Sequence, residues 1–206
     1  ADVVARRLAG AGLEPGDRVA CLLPAGREVA AALHGVPRTG AALAPLHPDW
    51  TDPELQDFLR RLRPRVLLCD AARQERAGSL LRASGLLVRL DFGGRPGAGD
   101  APAVPLEELP AADQLPGVDP GADHTVLATS GTSGRPRGVR LTLDNHLACQ
   151  RAAARRMGLA PDDRWLASLS PAHVGGVALL LRTAVTGARL VVREDFRADA
   201  FLALAD

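Results

Sequence analysis

Between residues 127 and 139 the chain reads LATSGTSGRPRGV, and residues of these types at this density suit one kind of chemistry. Glycine lets consecutive backbone N–H groups turn inward and form a concave anion site. Gly131, Gly134 and Gly138 supply that freedom, and Thr129, Ser130, Thr132 and Ser133 add hydroxyl donors. Arg137 brings a fixed positive charge and a planar donor fork that matches phosphate oxygens. No acid interrupts the run. Donors of every kind without an acid read as a phosphate cradle; composition alone would equally suit a Gly/Ser/Thr turn.

Other chemistries at this loop fail on spacing. The Walker pattern G-x-x-x-x-G-K-[ST] needs a lysine, and the chain contains none. The dinucleotide pattern G-x-G-x-x-G is approached at Gly10-Ala11-Gly12 but is broken by Pro15, with no strand before it. A nucleophile elbow G-x-S-x-G is absent around Ser130 and Ser133. A Ser–Ser–Lys amidase again needs the missing lysine.

Composition narrows the class. Of 206 residues 47% are hydrophobic, enough for a sizeable core, but only 3% are aromatic, so Ala, Leu and Val must fill it. The net charge is +1, from 25 basic and 24 acidic side chains, which gives no reason to expect nucleic acid or an anionic membrane as partner. All 25 bases are Arg, and Ile and Tyr are also missing, the mark of a GC-rich gene. No apolar run approaches the roughly 20 residues needed to span a bilayer. No secretory leader pattern opens the sequence. Cys21, Cys69 and Cys149 are far apart and form no CxxC pair. They read as buried free thiols of a cytoplasmic protein.

The elements that must position the loop follow from periodicity. Apolar residues at helical spacing predict helices over residues 3–13, 28–33, 51–63, 74–83, 143–157 and 176–185. Thr51-Asp52-Pro53-Glu54 is a strong helix start, and Thr142 a second cap. Short continuous apolar runs predict strands over 18–23, 41–46, 66–69, 86–90, 125–128, 139–141, 164–169 and 188–192. Strands that are apolar throughout, alternating with helices, belong to mainly parallel sheets flanked by helices, an α/β fold. Residues 93–121 are rich in Gly, Pro, Ala and Asp and read as a surface connection with one short helix near Leu106. The expected organisation is a first α/β subdomain over 1–92, this connection, and a second α/β subdomain over 122–206. The chain starts at Ala1 on one helical pattern and stops within another, so it is expected to be a fragment of a longer protein.

The run Thr129-Ser130-Gly131-Thr132-Ser133-Gly134-Arg135-Pro136-Arg137-Gly138 resembles the phosphate-binding signature [ST]-S-G-[ST]-[ST]-G-x-P-K-G of the adenylate-forming, AMP-binding superfamily of acyl-CoA synthetases, luciferases and peptide-synthetase adenylation domains. It departs only where Arg137 stands for lysine. Gly16-Asp17-Arg18-Val19-Ala20 is similar to the family's GDRVA opening, and residues 40–48 (GAALAPLHP) to its GA…PL.P segment. Asp163-Arg164-Trp165-Leu166, then Ser170-Pro171-Ala172-His173-Val174-Gly175-Gly176, is most similar to the 2-succinylbenzoate–CoA ligase group of menaquinone biosynthesis, and Asn145-His146 also fits it. Many acyl-CoA ligases carry a Pro-x-x-His-x-x-Gly segment, so fatty-acyl and aryl-acid CoA ligases stay open as alternatives. An inactive nucleotide-binding module is the alternative from another class.

The resemblance implies an N-terminal part of a large α/β domain. It implies joining of a small-molecule carboxylate to ATP, loss of pyrophosphate, and attack of coenzyme A on the acyl-adenylate. Thr129, Ser130, Gly131, Thr132, Ser133, Gly134, Arg137 and Gly138 would hold the β- and γ-phosphates, with Mg2+ offsetting their charge. His173 would stand at the acyl pocket beside the reacting carboxylate, with Val174, Gly175 and Gly176 lining it. Ala172 stands where the family commonly has an aromatic. His34, His47, His124 and His146 receive no role. The family's adenine- and ribose-binding segments and its C-terminal catalytic-lysine domain would lie beyond Asp206. The 206-residue chain alone is therefore expected not to complete adenylation, which a pyrophosphate-exchange assay tests.

Overall fold

The computed structural model describes residues 1–81, 85–92, 102–129 and 136–192. In chain order they form α1 (Asp2–Gly10), β1 (Arg18–Leu22), α2 (Arg27–Gly35), β2 (Ala42–Pro45), α3 (Asp52–Leu62), β3 (Val66–Cys69), α4 (Gln74–Leu80), β4 (Leu86–Arg89), β5 (Val104–Pro105), β6 (Asp123–Thr129), β7 (Arg137–Thr142), α5 (Leu143–Met157), β8 (Arg164–Ala167), α6 (Val174–Thr186) and β9 (Arg189–Val192). The predicted helical pattern of residues 196–206 lies outside the described residues.

One seven-stranded sheet runs β5-β4-β3-β1-β2-β6-β7, and β8 and β9 make a separate parallel pair. Every pairing in the large sheet is parallel except β6 with β7, which form an antiparallel hairpin. Strand β6 joins the sheet beside β2, with Leu43 opposite Thr125, so strands from both sides of residues 93–121 share it.

The uniformly apolar strands are explained by two cores. Val19 and Cys21 of β1, with Val66 and Leu68 of β3, meet α1, α2 and α6 on one face. Ala20, Leu22, Leu67 and Cys69 alternate with them and meet α3 and α4 on the other. Side chains of a strand alternate in direction, so a strand covered on both faces must be apolar at every position. Helix α3 starts as its sequence suggests: the Glu54 carboxylate accepts from the Thr51 backbone N–H at 2.8 Å and from its hydroxyl at 2.7 Å. Helix α5 starts on a reciprocal pair, Asn145 N–H to Thr142 Oγ1 at 3.1 Å and Thr142 N–H to Asn145 Oδ1 at 3.0 Å.

Three expectations change. The connection contributes more than a surface link: Val104–Pro105 pairs with β4, and Leu106 and Leu109 enter the core. The strand expected over 164–169 ends at Ala167, because the Ser168 N–H turns back to Leu166 O at 3.1 Å. Cys21 and Cys69 are buried free thiols, and desolvation raises both, Cys69 to about 12. Cys149 is instead exposed, on the outward side of α5. Among the described residues no helix is long and apolar enough to cross a membrane.

Candidate functional site

The carboxyl ends of parallel strands are where open α/β sheets bind ligands, and of the predicted site residues Thr129, Arg137 and His173 lie at that end. Strand β6 ends at Thr129 and β7 returns at Arg137, with these two residues paired across the hairpin. Ser130, Gly131, Thr132, Ser133 and Gly134, which join them, lie outside the described residues. Parallel pairing of β2 with β6 brings the end of β2, and His47 just after it, to the same edge as Thr129.

The hairpin is held from below by α3. Arg61 Nη1 donates to the Pro136 carbonyl at 2.7 Å, while its Nη2 pairs with Asp57 at 2.8 Å. The Arg60 guanidinium, with Arg61 behind it, holds the Asp57 carboxyl below the usual carboxylate range. Gly138 is needed for close approach: a Cβ there would stand 2.9 Å from Val126 Cγ1 and 3.7 Å from the Phe58 ring. The side chain of Arg137 is exposed and makes no ion pair with any described residue. It is an exposed cation at the start of β7, and Thr129 is likewise exposed at the end of β6, its hydroxyl giving a long 3.4 Å bond to the Arg137 carbonyl.

The second part of the site is the start of α6. Ser170 closes the turn before it, accepting the His173 N–H on its carbonyl at 3.0 Å and the Ala172 N–H on its hydroxyl at 3.3 Å. His173 is then the cap residue, in extended conformation, and its carbonyl accepts from Val177 N–H at 3.1 Å. Gly176 is required here, because a Cβ would collide with the Ser170 carbonyl, and Gly175 lies against Leu169. The helix begins at Val174, so the first-turn N–H groups of Val174, Gly175 and Gly176 lack partners within the helix, with Val174 exposed and Gly176 buried. His173 and Val174 are exposed, and Ala172 is buried beneath them.

His47, given no role from sequence, belongs to this site. Its ring lies 5.0 Å from that of His173, tilted by 58°. His47 Nδ1 accepts the Asp49 N–H at 3.3 Å, which leaves Nε2 as the nitrogen that carries hydrogen in the neutral ring. Arg76 of α4 fixes the loop that carries it, donating to the Pro48 carbonyl at 2.6 Å and to Asp52 at 2.8 Å. The sequence signal for His47 was a polar residue between Leu46 and Pro48, immediately after a buried strand. Arg61 carried no such signal, since Asp57 and Arg61 four apart read as an ordinary surface pair. Of the remaining histidines, His34, His124 and His146 lie away from this edge and are described below.

The arrangement offers an exposed cation, a glycine-rich hairpin and a histidine at a helix start on one sheet edge, suited to a polyanion beside a second, smaller ligand. The family model described as AMP-binding enzyme matches residues 1–206. The 2-succinylbenzoate–CoA ligase of Bacillus cereus is 28% identical over 204 residues, 95% of this chain and 37% of that protein. The sulfoacetate–CoA ligase of Cupriavidus necator is 32% identical over 202 residues, 98% of this chain and 39% of that protein. The o-succinylbenzoate CoA synthetase of Bacillus subtilis, solved with the acyl-adenylate intermediate OSB-AMP, superposes with a TM-score of 0.82 at 23% identity, covering 98% of this chain and 50% of that one. The same protein solved with ATP and magnesium gives a TM-score of 0.81. This chain thus spans well under half the length of the curated relatives it matches.

Proposed function

Because the chain belongs to the AMP-binding enzyme family, we propose that it forms the nucleotide- and carboxylate-binding part of an ATP-dependent carboxylate–CoA ligase. The carrying observation is convergence: the hairpin ends Thr129 and Arg137 and the His47–His173 pair stand on one sheet edge. In this reading a carboxylate oxygen attacks the α-phosphorus of ATP and pyrophosphate leaves. The thiol of coenzyme A then attacks the acyl carbon, and AMP leaves. Thr129 and the loop 130–134 donate to the β- and γ-phosphate oxygens, and Arg137 stabilises the charge that builds on the departing pyrophosphate. His173 contacts the acid next to its carboxylate, and the helix-start N–H groups at 174–176 face the same charge. His47 holds the His173 ring by packing against it.

Among the described residues no cluster of His, Cys, Asp or Glu could hold a metal ion. The donor set is cationic and hydroxylic, which suits phosphate and not a cation. Mg2+ in such a site would arrive on the triphosphate, which supplies its oxygens and has its charge offset in return. Support for ATP and magnesium comes from the complex of the Bacillus subtilis synthetase.

For the acid, we favour 2-succinylbenzoate, on the Asp163–Leu166 and Ser170–Gly176 segments and on the relatives so named. A second acid has its own observation. The sulfoacetate–CoA ligase is the more identical of the two relatives described, at 32%. Ala172 also stands, buried, at the His173 turn where the family commonly has an aromatic. Pyrophosphate exchange by the intact protein, with succinylbenzoate and sulfoacetate in parallel, separates the two; activity with neither overturns both. Arg137→Ala is expected to weaken MgATP binding by about 1.5–3 kcal/mol, the scale of a charged hydrogen bond, in a calorimetric titration. Unchanged affinity removes Arg137 from the cradle.

A further inference from the structure

We propose that a second small-molecule site lies at the sheet edge remote from the hairpin loop, and that it takes a small organic carboxylate with an apolar body. The inference does not rest on the ligase reading. A cavity of 230 Å³ lies among α2, α5, α6 and the start of β6. Pro37, Val118, Leu147, Leu181 and Val185 give it apolar walls. His124, on that wall, is five residues before Thr129 on β6, roughly 16 Å away at about 3.3 Å per residue.

Two residues of this wall each bury a side-chain atom that has no hydrogen-bond partner among the described residues: His124 its Nδ1 and Gln150 its Nε2. His124 is 6% exposed and Gln150 1%. Buried polar groups are nearly always paired, so two orphans on one cavity call for an occupant that meets both.

The chemistry of the orphans identifies the occupant. The Gln150 side-chain oxygen accepts from Arg182 Nε at 3.2 Å, which orients the amide and leaves Nε2 as an unspent donor. Arg182 is itself fixed over the Trp165 ring, 5.2 Å from its centre. His146 spends its Nε2 on the Thr125 hydroxyl at 2.9 Å and lies edge-on to His124 at 5.1 Å. Burial, then His146 and His34, hold His124 down at about 4, so at neutral pH it is an uncharged ring with one N–H to give. Arg38 also lines the cavity, its guanidinium paired with Asp2 at 3.0 Å, and among the described residues no Asp or Glu lines it. Two unspent N–H donors with no lining acid select an occupant that accepts hydrogen bonds, and a carboxylate, with two acceptor oxygens, can meet both. A cavity of about 150 Å³ accommodates benzene, so 230 Å³ suits a six-membered ring bearing a carboxylate.

The test uses the intact protein with 15N-labelled histidine rings, and benzoate as probe. Benzoate at millimolar concentration is expected to shift the His124 ring nitrogens saturably. The shift persists in a His173→Ala background, where an effect relayed from the acyl pocket would change. Gln150→Leu weakens this binding at least tenfold, and Leu147→Phe, which fills the cavity from the apolar side, abolishes it; each variant is first required to melt near the parent temperature. Crystals of the parent grown with benzoate place its carboxylate on Gln150 Nε2, a readout independent of whether the variants fold. Four outcomes overturn the proposal: ordered water bonded to both orphans with benzoate present, other parts of the protein filling the cavity, the His124 shift vanishing in the His173→Ala background, or toluene binding as tightly as benzoate.

Discussion

Two pairs of histidines touch in this molecule with nearly the same geometry. His47 and His173 meet at 5.0 Å and 58°, His124 and His146 at 5.1 Å and 66°. The first pair stands at the carboxyl ends of the strands, where His173 is open to solvent. The second sits at the opposite edge with both rings buried, and desolvation pushes both below their ordinary range. The contact is the same and the environments are not. A ring in water at a helix start can meet an anionic substrate; a ring buried against α5 is held neutral and offers a single N–H from within a cavity wall. What separates the histidine open to solvent from the one held neutral here is the depth at which the backbone places it.

The largest expected effect tests the buried pair. Its His124 falls from 6.5 to about 4 in the folded state, so between those values the unfolded chain binds more protons than the folded one. Stability contributed by this group is complete above pH 6.5 and declines as pH falls toward 4, by about 3 kcal/mol. Urea denaturation at pH 7 and pH 4.5 measures it. His124→Phe should flatten that part of the profile, and an unchanged slope would break the contrast between the pairs.

Next comes the exposed pair. His173→Ala is expected to lower carboxylate-dependent pyrophosphate exchange about 100-fold, within the usual range for a positioned side chain. It should shift the unfolding free energy by no more than about 0.5 kcal/mol, since its side chain is exposed. A variant that loses stability and activity together would make His173 structural after all. Gly176→Ala works on the same turn through sterics. The new methyl must displace the Ser170 carbonyl, at a cost of about 1–3 kcal/mol in thermal unfolding. The smallest effect belongs to His47. Its alanine variant should raise the KM for the acid about fivefold, and His47→Phe, which keeps the ring contact, should restore it. A loss that phenylalanine fails to restore would give His47 a role through its nitrogens.

The alternation of helix and strand was legible because a strand covered on both faces has to be apolar throughout, as 66–69 are. The cap at Thr51 and that at Thr142 were legible because each satisfies orphan N–H groups with local side chains. Other features had no local signal. Pro105 in a two-residue edge strand reads as loop, since proline cannot donate to a ladder. Cys149 reads like the two buried thiols, because helical periodicity along Leu143–Met157 is weak where so many positions are Ala or Arg. His47 and Arg61 acquire their places only through partners distant in sequence: His173 for one, the Pro136 carbonyl for the other.

By itself the sequence determined the chemistry on offer: a donor-rich loop without acids, a cationic side chain that cannot lose its proton, and a histidine before two glycines. Local patterns can state this, because residue type sets donors, charge and backbone freedom. Only the tertiary structure decided which groups share an edge. Strand order puts β2 beside β6 and so carries His47 toward the hairpin, while the turn at Ser170 delivers His173 to it. The same packing buried His124 and Gln150 with two polar atoms unmet. Burial and juxtaposition arise from contacts between residues far apart in the chain, and no stretch of sequence contains them.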